Sequence, residues 1–270
     1  MTDPDALPEG VVAAVRRLVR TARLLVALDF DGTLAPIVNR PDDARALPAS
    51  AAAAARLAAA HDTSVAYISG RALASLRAVA DPPPGTLLVG SHGIQFQLGD
   101  DAPPATQLDD AERARLTELS DALAAIVDGI QQVWLERKPA GIALHTRLAT
   151  DEDARTAQGR ARHAAARISG LTVRDGKDVL EFSVRPATKG GAIDRLRQAT
   201  DATATFYAGD DVTDEDAFAV LGTGDIGVKV GAGPTAAQFR VRDCAQFAIL
   251  LGVLADERHD FLEKPTRAGS

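Results

Sequence analysis

Short, continuous apolar runs alternate along this chain with longer segments in which apolar residues recur at helical spacing. The runs predict buried strands within 24–34 and 86–93 and at 64–68, 204–209 and 226–230. The periodic segments predict helices near 10–22, 47–60, 71–79, 190–199, 214–221 and 245–255. Continuous apolar strands are typical of a sheet that is covered on both faces. Their alternation with helices therefore predicts a parallel, doubly wound sheet.

The pattern changes between residues 101 and 186. A loop-like stretch leads into a charged amphipathic helix at 111–129, and a second helix is predicted near 152–168. The remaining segments are β-rich and have hairpin-like turns. We therefore predict an α/β fold whose Rossmann-like core is formed by residues 1–100 and 187–270, with a smaller α+β cap inserted at 101–186.

Composition narrows the choice of partners. The 270 residues are 46% hydrophobic and 25% charged, as in an ordinary globular protein, and the net charge is −7. This charge argues against nucleic acid or an anionic membrane as the main partner. A phosphorylated small molecule is compatible with it, because binding needs only a local positive field. Lys189, Arg71 and a metal ion could supply that field.

Cysteine usage and the ends of the chain bear on location. The single cysteine, Cys244, excludes an intramolecular disulfide and a metal site built from several thiolates. The acidic start lacks the basic and apolar regions of a signal peptide, and no apolar stretch is long enough to span a bilayer. We therefore expect a cytoplasmic protein, and we expect it to be a monomer.

The first apolar run ends abruptly in Asp29 and Asp31, each followed closely by small or polar residues. Open α/β sheets place their chemistry at this carboxyl end of a strand. Two carboxylates so close together would repel each other, and Mg²⁺ is a suitable compensation because Asp oxygens are hard ligands. The alternative is a strand that ends in an ordinary polar Asp-Gly turn.

Three later segments favour the chemical interpretation. In chain order they supply a hydroxyl group, a lysine and an acidic cluster: Ser69, Gly70 and Arg71, then Lys189, then Asp210, Asp211, Asp214, Glu215 and Asp216. Together with the two aspartates of the first run, this order resembles the four motifs of the haloacid dehalogenase-like (HAD) phosphohydrolases. The resemblance implies a parallel α/β core that hydrolyses a phosphate ester.

The residue types suggest a division of roles. Asp29 is the candidate nucleophile, which would form a phosphoaspartyl intermediate, and Asp31 is the candidate general acid and base. Lys189, the hydroxyl of Ser69 and the backbone N–H groups from Gly70 onward are suited to bind phosphoryl oxygens.

The metal candidates are all aspartates. The side chains of Asp29 and Asp210 come first, and the resemblance adds the backbone carbonyl of Asp31. Asp211 and Asp214 could ligate the ion directly or through water. For Asp214 the alternative is helix capping.

Specificity is expected to come from the cap, because a core of this kind cannot choose its substrate. Glu136, Lys138, Arg147 and Glu181 lie among the β-rich segments, and such side chains can hydrogen-bond sugar hydroxyls. The alternative is a solvated sheet face with cross-strand ion pairs. In the core, Arg71 is a further candidate for substrate or phosphate contact, or it is a surface residue at the start of a helix.

Six segments together resemble the trehalose-6-phosphate phosphatase family, a branch of the HAD phosphatases with a cap between its second and third motifs. They are SGR at 69–71, GSHGIQF at 90–96, ERK at 136–138, VLE at 179–181, KGGAI at 189–193 and GDDVTDEDAF at 209–218. The resemblance implies that Glu136, Lys138 and Glu181 hold the glucose unit distal to the phosphate. It also implies that His92 and Gly93 lie near the crevice between core and cap.

The expected activity is the Mg²⁺-dependent conversion of trehalose 6-phosphate and water to trehalose and phosphate. Two alternatives stay open. One is a phosphatase of another sugar phosphate, such as sucrose phosphate or mannosylglycerate phosphate, since these enzymes share the core and differ in the cap. The other is an inactive sugar-phosphate-binding protein. Such proteins tend to lose the nucleophile, the acid or the lysine, and all three are present here.

Overall fold

The computed structural model describes residues 6–99, 108–176, 178–185 and 188–263. The chain divides into two compact units, a larger unit of Met1–Pro104 and Thr188–Ser270 and a smaller unit of Ala105–Ala187. The boundaries predicted from the sequence, after residue 100 and after residue 186, fall outside the described residues. None of the described helices combines the length and the apolar character needed to cross a membrane.

The strands of the described residues form two sheets. They are β1 (Leu24–Asp29), β2 (Thr63–Ile68), β3 (Leu87–Gly90), β4 (Gln95–Gln97), β5 (Trp134–Lys138), β6 (Gly141–His145), β7 (Thr172–Gly176), β8 (Val179–Ser183), β9 (Ala204–Gly209), β10 (Ile226–Val230) and β11 (Phe239–Val241). The α-helices are α1 (Val11–Leu18), α2 (Pro48–Ala59), α3 (Leu73–Ala80), α4 (Asp110–Val127), α5 (Asp151–Ala165), α6 (Lys189–Thr200), α7 (Glu215–Ala219) and α8 (Cys244–Glu263).

The sheet of the larger unit has the strand order β11-β10-β9-β1-β2-β3-β4. Every neighbouring pair is parallel except β3 and β4. Strand β1 lies at the centre, and all six of its residues are buried. Alternate residues of 24–28 belong to two separate apolar clusters, one shared with α1, α2, α3 and α8 and the other with α6 and α7. Helices on both faces of a mainly parallel sheet confirm the predicted α/β class.

The smaller unit contains an antiparallel sheet with the order β5-β6-β8-β7. Helices α4 and α5 pack on one face of it, where Leu123 and Ala161 join Leu144 in an apolar cluster. Because side chains alternate along a strand, the other face carries a different set of residues. Glu136 and Glu181 lie in one cross-strand row on that polar face.

The start of α4 is tied to the segment that follows β8. Asp109 and Glu112 form a capping box, each side chain accepting the other residue's backbone N–H. Glu112 also pairs with Arg185, with Nε–Oε1 and Nη2–Oε2 distances of 2.8 and 2.5 Å. This hydrogen bonding with Arg185 lowers the pKa of Glu112 to about 2. The pair therefore fixes two segments of the smaller unit that are distant in sequence.

Three elements differ from the prediction. Strands β4 and β11 are short additions to the sheet, and α8 continues well past its predicted end near residue 255. The extension contains Arg258, which is fully buried. Its guanidinium donates to the carbonyl oxygens of Val19, Thr21 and Asp62 at 2.6, 2.8 and 2.6 Å. A buried charged residue thus satisfies backbone carbonyls of two separate loops, which no apolar pattern indicates.

Candidate active site

The candidate site lies where three neighbouring strands of the larger sheet end. Asp29 is the last residue of β1, Ser69 directly follows β2, and Asp210 directly follows β9. These strands are parallel and adjacent, with β1 in the middle, so their carboxyl ends share one edge of the sheet. Lys189 is the first residue of α6. Four residues predicted from distant parts of the sequence therefore belong to one region of the core.

Lys189 joins two carboxylates. Its side chain is only 3% exposed, and Nζ donates to Asp29 Oδ1 at 2.6 Å and to Asp214 Oδ1 at 2.7 Å. A cation at the first position of a helix opposes the helix dipole, so these carboxylates rather than the helix account for its place. Burial alone would lower the pKa of Lys189, but the two aspartates outweigh it and the pKa is raised. The ammonium group is therefore fully charged.

Asp29 and Asp210 are held close together at a cost in electrostatic energy. Burial raises the pKa of Asp29 well above its usual value, Lys189 opposes this, and the charges of Asp214 and Asp210 add to it. The pKa of Asp210 is raised to about 6, first by burial and then by Asp214. Asp29 Oδ2 and Asp210 Oδ1 are buried and have no hydrogen-bond partner among the residues that the structure describes. Buried, unpartnered carboxylate oxygens indicate a site for a cation.

The residues present fit a divalent metal ion. Asp29, Asp210 and Asp214 each offer an oxygen, and these oxygens all lie within 4.8 Å of one another. Two glycines make room for them. A Cβ at Gly32, where φ is +85°, would lie 2.0 Å from Asp210 Oδ2, and one at Gly209 would lie 2.1 Å from Asp214 Cγ. A compact set of carboxylate oxygens is the donor set that Mg²⁺ prefers.

Asp214 differs from the other two acids because both its oxygens have donors. Besides Lys189, Oδ1 accepts the hydroxyl of Tyr207, and Oδ2 accepts the N–H of Asp211 at 2.8 Å. Asp211 itself is exposed and caps the short 3-10 turn Val212–Asp214. Among the described residues, the acidic cluster consists of Asp29, Asp210 and Asp214. The carboxylates of Asp211 and Asp31 lie outside it. Asp214 thus anchors Lys189 while it contributes to that cluster.

Asp31 occupies a tight loop after β1. The N–H groups of Leu34 and Ala35 donate to the carbonyl of Phe30 at 3.0 and 2.8 Å, which closes the loop. Both carboxylate oxygens of Asp31 accept hydrogen bonds from Arg71, each at 2.6 Å. This hydrogen bonding to Asp31 raises the pKa of Arg71. The structure therefore places Arg71 against the predicted acid–base residue.

The loop after β2 packs against the start of α6 through a turn at His92 and Gly93. The backbone of His92 is left-handed, with φ 55°, and its N–H donates to the carbonyl of Ser69 at 3.0 Å. Its ring lies over Gly70, where an added Cβ would come within 2.6 Å of it. At Gly93, with φ +106°, a Cβ would lie 2.8 Å from the carbonyl oxygen of Thr188. These residues hold the hydroxyl-bearing loop and the lysine-bearing helix together.

Two residues of this region are not predicted from the sequence. Lys229 is 3% exposed, and its Nζ donates to the carbonyls of Asp210 and Asp211 at 2.6 and 3.2 Å. A lone lysine inside the apolar run 226–230 was the available signal. Cys244 donates from Sγ to the carbonyl of Gly32 at 3.0 Å, and burial raises the pKa of this thiol to about 11. Both residues fix the backbone that carries the candidate metal ligands.

The polar face of the smaller sheet carries the predicted sugar-binding residues. Lys138 forms an ion pair with Glu181 across the sheet, and Glu136 Oε2 lies 2.9 Å from His145 Nε2. The rings of Trp134 and His145 are stacked, with centroids 4.9 Å apart and an interplanar angle of 8°. Trp134 nevertheless stays 40% exposed, a feature that the sequence does not predict. Arg147 lies apart from this group, exposed on the turn that follows β6.

Comparison with known proteins agrees with this geometry. The sequence model of the trehalose-phosphatase family matches residues 27–244. This chain belongs to the trehalose-phosphatase family. The match spans both units and every candidate residue described above, and it confirms the resemblance predicted from the motifs.

Individual relatives cover different shares of their own length. A Mycobacterium ulcerans trehalose-phosphate phosphatase is 34% identical in an alignment 277 positions long that covers 94% of this chain and 66% of the relative. A Mycobacterium tuberculosis protein described as an uncharacterized glycosyl hydrolase is 36% identical in an alignment 259 positions long that covers 89% of this chain and 19% of the relative. The chain thus spans less than two thirds of either relative. The solved trehalose-6-phosphate phosphatase of Aspergillus fumigatus superposes with a TM-score of 0.69 and 26% identity, covering 92% of this chain and 97% of that one.

Proposed function

We propose that this chain hydrolyses trehalose 6-phosphate to trehalose and phosphate, with a magnesium ion bound among the aspartates of the core. Membership of the trehalose-phosphatase family supports the substrate class. One observation carries the chemistry. Within the described part of the chain, Asp29 Oδ2 and Asp210 Oδ1 are buried carboxylate oxygens without a hydrogen-bond partner. One oxygen each of Asp29, Asp210 and Asp214 lies within 4.8 Å of the others, and Lys189 donates to Asp29.

Asp29 acts as the nucleophile in this proposal. Its free oxygen attacks phosphorus and forms a phosphoaspartyl intermediate, while Lys189 holds the other oxygen and opposes the rise in pKa that burial causes. The side chains of Asp29 and Asp210 and the backbone carbonyl of Asp31 would hold Mg²⁺, with Asp211 and Asp214 as further candidates. When bound, the ion supplies positive charge that offsets the negative charge of the phosphoryl group.

The remaining steps use Asp31 and the loop after β2. Asp31 gives a proton to the departing sugar oxygen and later takes one from the water that hydrolyses the phosphoenzyme. The N–H group of Gly70 is proposed to bind a phosphoryl oxygen, together with Ser69 and Lys189. Ser69 is 2% exposed, so its hydroxyl occupies a water-poor environment in which such hydrogen bonds are strong.

The smaller unit is proposed to recognise the sugar. Glu136, Lys138 and Glu181 present carboxylates and an ammonium group on one face of its sheet, and sugar hydroxyls bond to such groups. The exposed ring of Trp134 adds an apolar surface against which a pyranose ring can pack. Arg147, His92 and Gly93 stay candidates for substrate contact.

Phosphate release from a panel of sugar phosphates tests the proposal. We expect rapid turnover of trehalose 6-phosphate, slower turnover of sucrose 6-phosphate and glucose 6-phosphate, and loss of activity with a chelator that Mg²⁺ restores. Asp29→Asn is expected to be inactive on all of them, and Arg45→Gln serves as a surface control. Faster turnover of another ester would show that trehalose 6-phosphate is not the substrate. Full activity of Asp29→Asn would refute the role of Asp29 as the nucleophile.

A further inference from the structure

Arg71 and Asp31 form a two-pronged ion pair. The distances Nε–Oδ2 and Nη2–Oδ1 are both 2.6 Å, and the two side chains are only 12% and 30% exposed. A planar guanidinium group that bonds both oxygens fixes the rotation of a carboxylate as well as its position. A lysine cannot do this, because its ammonium is a point charge.

The backbone of Arg71 is fixed as well. Its N–H donates to Ser69 Oγ at 3.1 Å, and its carbonyl accepts the N–H of Ser91 at 2.7 Å. Gly90 allows this close approach, since a Cβ there would lie 2.9 Å from the carbonyl oxygen of Arg71. The guanidinium therefore extends from an anchored segment after β2 to the loop after β1, where it meets Asp31.

We propose that Arg71 is a positioning residue, which aims the carboxyl group of Asp31 at the leaving-group oxygen. The inference rests on the proposed function and concerns its first step. In that step the bond from Asp29 to phosphorus forms, the ester P–O bond breaks, and its electron pair stays on the sugar oxygen, which takes the proton of Asp31. The two oxygens of an ionised carboxylate have about four lone-pair sites, and one of these sites carries the proton when the group acts as an acid. Arg71 occupies two of the sites, so the one that carries the proton can face the substrate.

Direct phosphate contact by Arg71 leads to a different expectation. A residue that binds the phosphoryl group affects every phosphate ester alike. A residue that acts through Asp31 matters most where the leaving group needs a proton. A sugar alkoxide is a poor leaving group and depends on that proton. The 4-nitrophenolate ion is a stable anion and depends on it far less.

The experiment compares kcat/KM for trehalose 6-phosphate and 4-nitrophenyl phosphate. This parameter covers the steps up to departure of the leaving group, so hydrolysis of the phosphoenzyme does not enter. The variants are Arg71→Met, Arg71→Lys, Asp31→Asn and the double variant of Arg71→Met with Asp31→Asn. Both substrates are assayed on one preparation, and the ratio of the two values then does not depend on the folded fraction. Arg77→Met is the control, because Arg77 is an exposed arginine on α3 that bonds a neutral partner, Gln97.

We expect Arg71→Met to lower the value for the sugar ester about 10- to 100-fold, part of the roughly 100- to 10,000-fold effect of a general acid. The decrease in kcat/KM for 4-nitrophenyl phosphate should be about ten times smaller. Arg71→Lys should not restore the wild-type ratio of the two kcat/KM values, because lysine keeps the charge but cannot bond both carboxylate oxygens as the guanidinium does. In the Asp31→Asn variant, adding Arg71→Met should lower kcat/KM for the sugar ester by less than about 3-fold, because the carboxyl group that Arg71 positions is already absent.

Two results would overturn the inference: equal losses on both esters, or a full additional loss in the double variant. Failure of the proposed substrate looks different. A wild-type chain that ignores trehalose 6-phosphate but hydrolyses another sugar phosphate refutes the substrate, and the same ratio measured with that ester still decides the role of Arg71. A wild-type chain without any phosphatase activity refutes both.

Discussion

Replacing Lys189 by methionine tests whether the buried acids depend on this one ammonium group. Methionine has a similar length and no charge. Nζ lies 2.6 and 2.7 Å from the oxygens of Asp29 and Asp214. At an effective dielectric constant of about 20, each contact supplies about 6 kcal/mol of gross attraction. Burying the ammonium offsets much of this, and breaking such a pair costs about 3–5 kcal/mol in the free energy of unfolding.

Urea unfolding of the wild type and Lys189→Met measures this loss, with Lys138→Met as the matched control. Within the described residues Lys138 pairs with Glu181 and is 26% exposed, so its loss should cost less than about 1 kcal/mol. The difference in the free energy of unfolding between Lys189→Met and the wild type should become smaller as the pH falls. Burial already raises the pKa of Asp29 in the folded wild type, and Lys189 opposes this rise. Removing Lys189 therefore raises that pKa further, and the variant loses more stability than the wild type as pH rises.

The reasoning fails if Lys189→Met unfolds within about 1 kcal/mol of the wild type near pH 8. It also fails if its deficit grows as the pH falls toward about 5.5, since protonation of an unpaired buried acid can only relieve the repulsion.

Three further predictions follow from other parts of the molecule. Gly32→Ala should lower phosphate release about 100-fold by displacing a candidate metal ligand, whereas Gly85→Ala, with φ +80° and nothing within 4 Å of the new methyl group, should leave it nearly unchanged. Glu112→Gln should lower the melting temperature at neutral pH, and circular dichroism melts should show the difference from wild type disappearing from about pH 4.5 to 2, because Arg185 holds the folded pKa of Glu112 at about 2. Trehalose should change the fluorescence of Trp134, the single tryptophan, in a saturable way. Unchanged fluorescence as trehalose is added would show that the Trp134 ring does not contact the sugar.

The predictable part of the site consists of residues whose place follows from burial. The runs before Asp29, Ser69 and Asp210 are short and mainly apolar, which favours interior strands, and a polar residue that ends such a strand is expected at an edge of the sheet. Parallel neighbours then bring those edges together. Lys189 is predictable for a related reason, because it precedes a helical pattern that packs on the same sheet.

The rest depends on where side chains point, which a linear pattern does not contain. The sequence leaves Arg71 open between phosphate contact and the surface, but its guanidinium meets Asp31, forty positions away in sequence. The sequence pattern predicts Tyr207 as an apolar strand residue, but its hydroxyl donates a hydrogen bond to the carboxylate of Asp214. Lys229 interrupts an apolar strand, and only the adjacent loop gives the reason.

The single thiol of the chain has a practical consequence for labelling. Burial raises the pKa of Cys244 to about 11, so its side chain is almost entirely a protonated thiol at pH 7. Maleimide dyes react with thiolates and should pass over this position. Cysteines introduced at exposed positions, such as Ala78 on α3 and Thr117 on α4, could then be tagged in the otherwise native sequence. A dye at each of these two positions would let single-molecule fluorescence follow the distance between the two units during turnover.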